Sequence, residues 1–159
     1  MLEDRLKQEE GYRARPYLDT VGKLSIGYGR NLVDVGLSRD ERDYLGISMD
    51  FPVEDLNITE EQADYLLKND IGKAREAVRD DLPWVDRLDP ARQDVLFDMA
   101  FNMGIGGLLG FHHALIYAKL GLYENAAQEI LSSKAAKQAP NRYKLLAQIM
   151  RTGEEVANV

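Results

Sequence analysis

Residues 91–103 limit the fold more than any other stretch. Val95, Leu96, Phe97, Met99, Ala100, Phe101 and Met103 fall on nearly every side of a helical wheel, so the segment belongs in the middle of a core. Asp89 with Pro90 marks its start and Gly104 its end.

Around that helix the chain is punctuated as further helices. Ser38 and Glu41 form a capping box for a helix running to about Leu45. Thr59 and Gln62 form another, after which Ala63, Leu66, Leu67, Ile71, Ala74 and Val78 recur at helical spacing and predict the longest helix of the chain. Helices are also expected over Leu108 to Leu120, ended by Gly121, over Tyr123 to Ser132, and from Pro140 towards Arg151, ended by Gly153. Ile105 to Gly107 reads as a flexible link and Gly46 to Asn57, with Pro52, as a loop. Asp81 to Asp89 reads as a turn region in which Trp84, the only tryptophan, anchors packing.

A period of two is confined to the segment after Pro16. Leu18 falls on one side and Tyr17 and Asp19 on the other; Thr20 to Lys23 makes a turn; Leu24, Ile26 and Tyr28 then alternate with Ser25 and Gly27. The pattern predicts a hairpin with Leu18, Leu24, Ile26 and Tyr28 on the core face. Asp19, Ser25 and Gly27 take the other face, where the missing glycine side chain leaves room for a bulky substrate. Arg30 to Gly36 reads as a last short strand or a loop.

Composition removes several chemistries. With 159 residues, 45% of them hydrophobic, the chain can fill the core of one domain, and its mixed 30% of charged residues is not that of a disordered chain. It holds no cysteine, which excludes thiolate metal sites and thiol nucleophiles. A net charge of −7 and a pI near 4.9 argue against nucleic acid as a partner. Between Lys134 and Gly153, however, Lys134, Lys137, Arg142, Lys144 and Arg151 occur without an acidic residue, a segment suited to an anionic polymer or simply a solvated helix. No apolar run is long enough to span a membrane, and Met1 to Arg5 does not open a secretory signal, so neither stable membrane association nor export by a leader is expected. His112 and His113 are adjacent, about 100 degrees apart on a helix, whereas helical metal sites use spacings of three or four. No phosphate-binding glycine loop and no Gly-x-Ser-x-Gly elbow are present, so neither cofactor nor metal is expected.

Acid–base chemistry remains. Leu2 and Leu6 lie four apart before Gly11, predicting a short helix over 2–10 whose last turn holds Glu9 and Glu10. Carbonyls at a helix C-terminus carry partial negative charge that favours a protonated carboxyl, the form a general acid needs. The helical wheel does not choose between Glu9 and Glu10. Downstream, Asp19 opens the hairpin turn and Ser25 sits on the returning strand.

The spacing Glu-Gly, Tyr-x-Asp-Thr-x-Gly and Ser-Ile-Gly-Tyr-Gly over Glu10 to Gly29 resembles the catalytic segment of the phage-type lysozymes, glycoside hydrolase family 24. Glu10, Asp19 and Ser25 occupy that family's Glu, Asp and Thr positions, with serine in place of the usual threonine and Arg30 where some members carry histidine. The resemblance continues in Phe101-Asn102-Met103-Gly104 and in Gln138-Ala139-Pro140-Asn141-Arg142, although a tryptophan common before the second motif is replaced by Ala135 and Ala136. It implies Glu10, Asp19 and Ser25 as catalytic residues, Asn31, Phe101 and Asn102 as substrate-binding residues and Arg142 as a support that orients Glu10.

The fold so implied is α+β and mainly α, a two-lobed lysozyme-like domain over 1–159. A small lobe with an antiparallel sheet takes about 11–58, a connecting helix about 59–80, and a helical lobe about 81–159 together with the helix 1–10, leaving a cleft between the lobes. The implied activity is that of an N-acetylmuramidase acting on bacterial peptidoglycan as an inverting glycosidase and a monomer. The implied setting is a phage or prophage lysis enzyme, made in the host cytoplasm and released to the wall through membrane holes made by another protein. A lytic transglycosylase and a catalytically silent wall-binding or phage-particle component are the alternatives; Asp19 with Ser25, a water-holding pair, speaks against the former.

Overall fold

The capping signals become helices where the sequence places them. In a computed structural model that describes residues 1–155, the order is α1 (Leu2–Glu10), β1 (Arg13–Leu18), β2 (Leu24–Gly27), β3 (Arg30–Asn31), α2 (Arg39–Leu45), α3 (Glu60–Asp81), α4 (Pro90–Leu109), α5 (His112–Lys119), α6 (Tyr123–Leu131), α7 (Lys134–Gln138) and α8 (Pro140–Thr152). The fold is α+β and mainly α, with one three-stranded antiparallel sheet in the order β1-β2-β3. Short 3-10 turns cover Val53–Asp55 and Pro83–Arg87. The chain divides into two compact units, Met1–Gly72 and the residues from Lys73 onward. Among the described residues no single helix is long and apolar enough to cross a membrane.

In the first unit, Leu2 and Leu6 of α1, Ile26 of β2, Leu56, Ile58 and the α3 residues Ala63, Leu66, Leu67 and Ile71 are buried. β1 begins at Arg13, three residues before Pro16. Proline is tolerated there because β1 is an edge strand and the register shifts between Arg13 and Tyr17. The pairs Tyr17 with Ser25 and Leu18 with Leu24 close the hairpin. Leu18 does not join the core as the alternation predicts: it is 69% exposed, the last residue of an edge strand beside the turn. Gly27 also differs from expectation. A Cβ there would lie 3.3 Å from the Ala63 Cβ and 3.4 Å from Ile58, so the absent side chain makes room for α3 and not for a ligand.

One buried cation fixes β3. Arg30, 2% exposed, donates to both carboxylate oxygens of Glu41 at 2.7 and 2.6 Å and to Asp70 at 2.8 to 3.1 Å. It also reaches the carbonyls of Gly36 and Leu66 at 3.0 and 3.3 Å. Glu41 serves the capping box at the same time, accepting from the Ser38 N–H at 2.9 Å while its own N–H donates to Ser38 Oγ at 3.1 Å. Burial pulls the Arg30 guanidinium down, and its bonds to Glu41 and Asp70 more than reverse this, leaving it above the ordinary arginine range. Burial likewise raises Glu41, but hydrogen bonds from Arg30, Asn69 and the Ser38 backbone dominate and hold its carboxyl at about 2.

In the second unit every residue from Asp94 to Ala100 is buried on α4, as its apolar pattern requires. α8 packs against α4, α6 and α7, and α5 against α6. Arg92 closes the end of α8 by donating to the carbonyls of Met150 and Arg151 at 2.7 and 3.0 Å, with its guanidinium 3.5 Å over the Tyr123 ring. Gly104 breaks α4 with φ 78 and ψ 164, but 105–109 resumes helix where a flexible link is expected. The short α7, which the sequence reading omits, is capped by Ser133 Oγ accepting from the Ala136 N–H at 3.1 Å. The basic segment is less free than its composition implies, because Arg142 is buried against Asp98 and Arg151 pairs with Glu124.

Because the Glu41 carboxyl lies at about 2 in the folded chain against an ordinary 4.5, the stability it contributes is complete above about 4.5 and is lost as pH falls through about 2. Glu41→Gln, which leaves Arg30 short of charge in a buried site, is expected to cost about 3 kcal/mol at neutral pH. It should also flatten the acid limb; urea midpoints recorded from pH 7 to pH 2 for both chains check this.

Candidate active site

α1 ends at Glu10 because Gly11 takes φ 71, with its N–H bonded to the Lys7 carbonyl at 2.9 Å. The helix is held in the first unit by Lys7, whose Nζ lies 2.9 Å from Asp64 on α3 and 5.8 Å over the Tyr28 ring. The start of β1 is anchored by Tyr12, which donates to the Ile58 carbonyl at 2.6 Å, and by the Ile58 N–H, which donates to Ala14 at 2.9 Å.

Glu10 is half-buried and lies over Gly29. A Cβ at Gly29 would stand 2.9 Å from Glu10 Oε2 and 3.4 Å from Cδ, and Gly29 has φ +84. The bare backbone of the β2–β3 turn is thus one wall of the Glu10 carboxyl. Arg30, locked by its ion pairs, is the next residue, so the buried cation also determines where that wall stands.

Asp19 is half-buried at the head of the β1–β2 turn and organises it. Its Oδ1 accepts from the Val21 and Lys23 N–H groups at 3.0 and 2.8 Å, while its backbone N–H donates to the Lys23 carbonyl at 2.9 Å. Among the described residues Oδ2 makes no hydrogen bond, which leaves that oxygen to act on a ligand. Ser25 is 2% exposed, and its Oγ donates to the Lys23 carbonyl over a long 3.3 Å.

Tyr17 stands among these groups as the cross-strand partner of Ser25, two residues before Asp19. Its phenol is raised above the ordinary value first by burial and then by the negative charge of Glu10, against the pull of Arg13, with Asp19 adding a further push. Both carboxylates therefore lie within electrostatic reach of one hydroxyl. The sequence reading put Tyr17 on the Asp19 side of the hairpin without giving it a role.

The remaining candidates are placed as follows. Asn31 ends β3 and is occupied with its own turn: its Oδ1 accepts from the Val33 and Asp34 N–H groups at 2.8 Å each, and its Nδ2 donates to Asp34 at 3.1 Å. Phe101, Asn102 and Arg142 belong to the second unit. Phe101 is half-buried, and Asn102, exposed on α4, accepts from the buried Tyr143 hydroxyl at 2.6 Å. Burial lifts the Tyr143 phenol to about 12, with Arg142 opposing and Asp98 adding to the shift. Arg142 donates to Asp98 at 2.9 and 3.2 Å, and Asp98 is fully buried. His112 and His113 are both exposed.

A family model described as Phage lysozyme matches residues 7–150. The chain is 27% identical over 162 residues to a protein of Dictyostelium discoideum named Probable T4-type lysozyme 1, covering 96% of this chain and 94% of that one. It is 26% identical over 163 residues to the Pre-baseplate central spike protein Gp5 of Enterobacteria phage T4, of which it spans 28%.

Two glycines separate backbone strain from contact with Glu10. Gly22→Ala introduces a side chain at φ +81 with nothing within 4 Å of its Cβ, whereas Gly29→Ala meets the Glu10 carboxylate at 2.9 Å. Each is expected to lose about 1 to 2 kcal/mol from left-handed backbone strain. Gly29→Ala should lose more than Gly22→Ala in urea unfolding, the excess being the contact.

Proposed function

The chain belongs to the phage lysozyme family, whose substrate is peptidoglycan, and from that premise we propose that it is an N-acetylmuramidase cleaving the β-1,4 bond between N-acetylmuramic acid and N-acetylglucosamine. The observation that carries the reading is that Glu10, Asp19 and Ser25 sit on consecutive elements of one unit, at the end of α1, in the β1–β2 turn and on β2.

Glu10 protonates the departing glycosidic oxygen. Asp19, through its uncommitted Oδ2, takes the proton of a water molecule that attacks the anomeric carbon from the other face of the sugar, and Ser25 steadies that water. This is the division of labour of an inverting glycosidase, for which the carboxyl groups stand about 6.5 to 9.5 Å apart. Phe101 and Asn102 are assigned to sugar binding and Arg142 to support on the family resemblance. Asn31 keeps a binding role only through atoms its turn does not use.

The biological setting we assign is host lysis, with the enzyme made in the bacterial cytoplasm and released to the wall. The similarity to a phage spike protein favours a second setting, a lysozyme domain carried on the phage particle. Separation of virions from free lysate protein decides between them: a lysis enzyme stays in the free fraction.

On purified peptidoglycan, Glu10→Gln and Asp19→Asn are each expected to lose about a thousand-fold or more in rate, in keeping with removal of an acid or a base. Muropeptides released by the parent chain should carry reducing ends; anhydro ends in mass spectrometry would identify a transglycosylase instead. The first product seen by NMR should have the anomeric configuration opposite to the substrate, and retention would remove Asp19 as a water-activating base.

A further inference from the structure

The geometry points to Tyr17 as a substrate-contacting residue whose hydroxyl donates a hydrogen bond to an oxygen of the sugar ring held between Glu10 and Asp19. The inference deepens the proposed function and rests on it.

Three features place the hydroxyl. Tyr17 is the registered partner of Ser25, so the two side chains leave the sheet on the same face, and Asp19 follows at the same parity. The register is irregular between Arg13 and Tyr17 and regular pairing resumes at Tyr17, which fixes the parity from there to the turn. The Arg13 guanidinium lies 4.8 Å from the ring centroid and limits the ring's movement.

The hydroxyl itself is uncommitted. Among the described residues it makes no hydrogen bond, unlike Tyr12, which bonds to Ile58, and Tyr143, which bonds to Asn102. Nor is it a buried polar atom lacking a partner. A half-buried aromatic side chain with a free donor, beside two acidic groups and a buried serine, has the form of a polar contact kept for a ligand. Burial and the charge of Glu10 raise its pKa above the ordinary tyrosine value, which keeps it a neutral donor at neutral pH. A carbohydrate hydroxyl or acetamido oxygen is the matching acceptor, because a second anion would be repelled by the neighbouring carboxylates.

Tyr17→Phe removes one oxygen that no described residue uses, so the urea midpoint should stay that of the parent chain. On purified peptidoglycan kcat/KM should fall about ten-fold, the size of a hydrogen bond lost from a bound substrate. Tyr12→Phe is the comparison: it removes the bond to Ile58, so its midpoint should fall while kcat/KM is kept. Activity of Tyr17→Phe within two-fold of the parent overturns the inference, and so does a loss of activity matched by a loss of stability. Glu10→Gln in the same series separates the two levels. If it is inactive while Tyr17→Phe is fully active, only the Tyr17 contact falls; if it retains activity, the proposed function falls and the Tyr17 contact with it.

Discussion

A single buried guanidinium holds the small sheet in place. Arg30 ties β3 to α2 through Glu41, to α3 through Asp70 and the Leu66 carbonyl, and to the following turn through Gly36. Removing a cation and two carboxylates from water carries a desolvation cost that is recovered only when nearly every polar atom is bonded. That condition is closely met, since Glu41 also accepts from Asn69 and from the Ser38 N–H. The result is positional. Gly29 precedes Arg30 and lies against Glu10, so a structural ion cluster determines one wall of the Glu10 carboxyl.

That cluster was not legible in the sequence, whereas the helices were. Both capping boxes form as read, Thr59 and Gln62 exchanging bonds of 2.9 and 3.1 Å, because a cap involves residues three apart. Arg30 finds its partners 11 and 40 residues away. Glu41 had an explanation as a cap that concealed a second one. Asp98 is a second such case: a carboxylate inside a helix apolar on nearly every side needs a buried partner, and Arg142, which supplies it, lies 44 residues on. Sequence position gave no means of joining the two.

The departures of the hairpin from its alternation share a cause. Alternation sorts residues by face but does not say which face is covered, or how far along the strand the cover extends. Ile26 is fully buried while Leu18, on the same expected face, is exposed at the strand end. The pattern marks Gly27 as space for a ligand, but α3 occupies that space; Gly29 is the glycine that meets Glu10. The catalytic candidates themselves were legible because α1, the turn and β2 are neighbours in the chain, so their grouping needs no long-range contact. Around Gly104 a glycine-rich composition suggests flexibility, yet glycine only weakens a helix, and 105–109 is helical.

Serine at position 25 can be weighed on the same terms. Threonine has a methyl group that restricts its hydroxyl; serine needs another restraint. Here burial and a long bond to the Lys23 carbonyl provide it, and Lys23 is also where Asp19 is fixed, since its N–H donates to Asp19 Oδ1 and its carbonyl accepts from the Asp19 N–H. One residue of the turn therefore references both polar groups. In the proposed mechanism the Ser25 proton points to Lys23 and Oγ offers only lone pairs, so the attacking water gives a hydrogen both to Ser25 and to Asp19 Oδ2. Its own lone pair is then left facing away from both, the orientation an attack on the anomeric carbon requires. At 3.3 Å the bond is weak, and the backbone hydrogen bonds of the turn, more than the serine itself, give this arrangement its order.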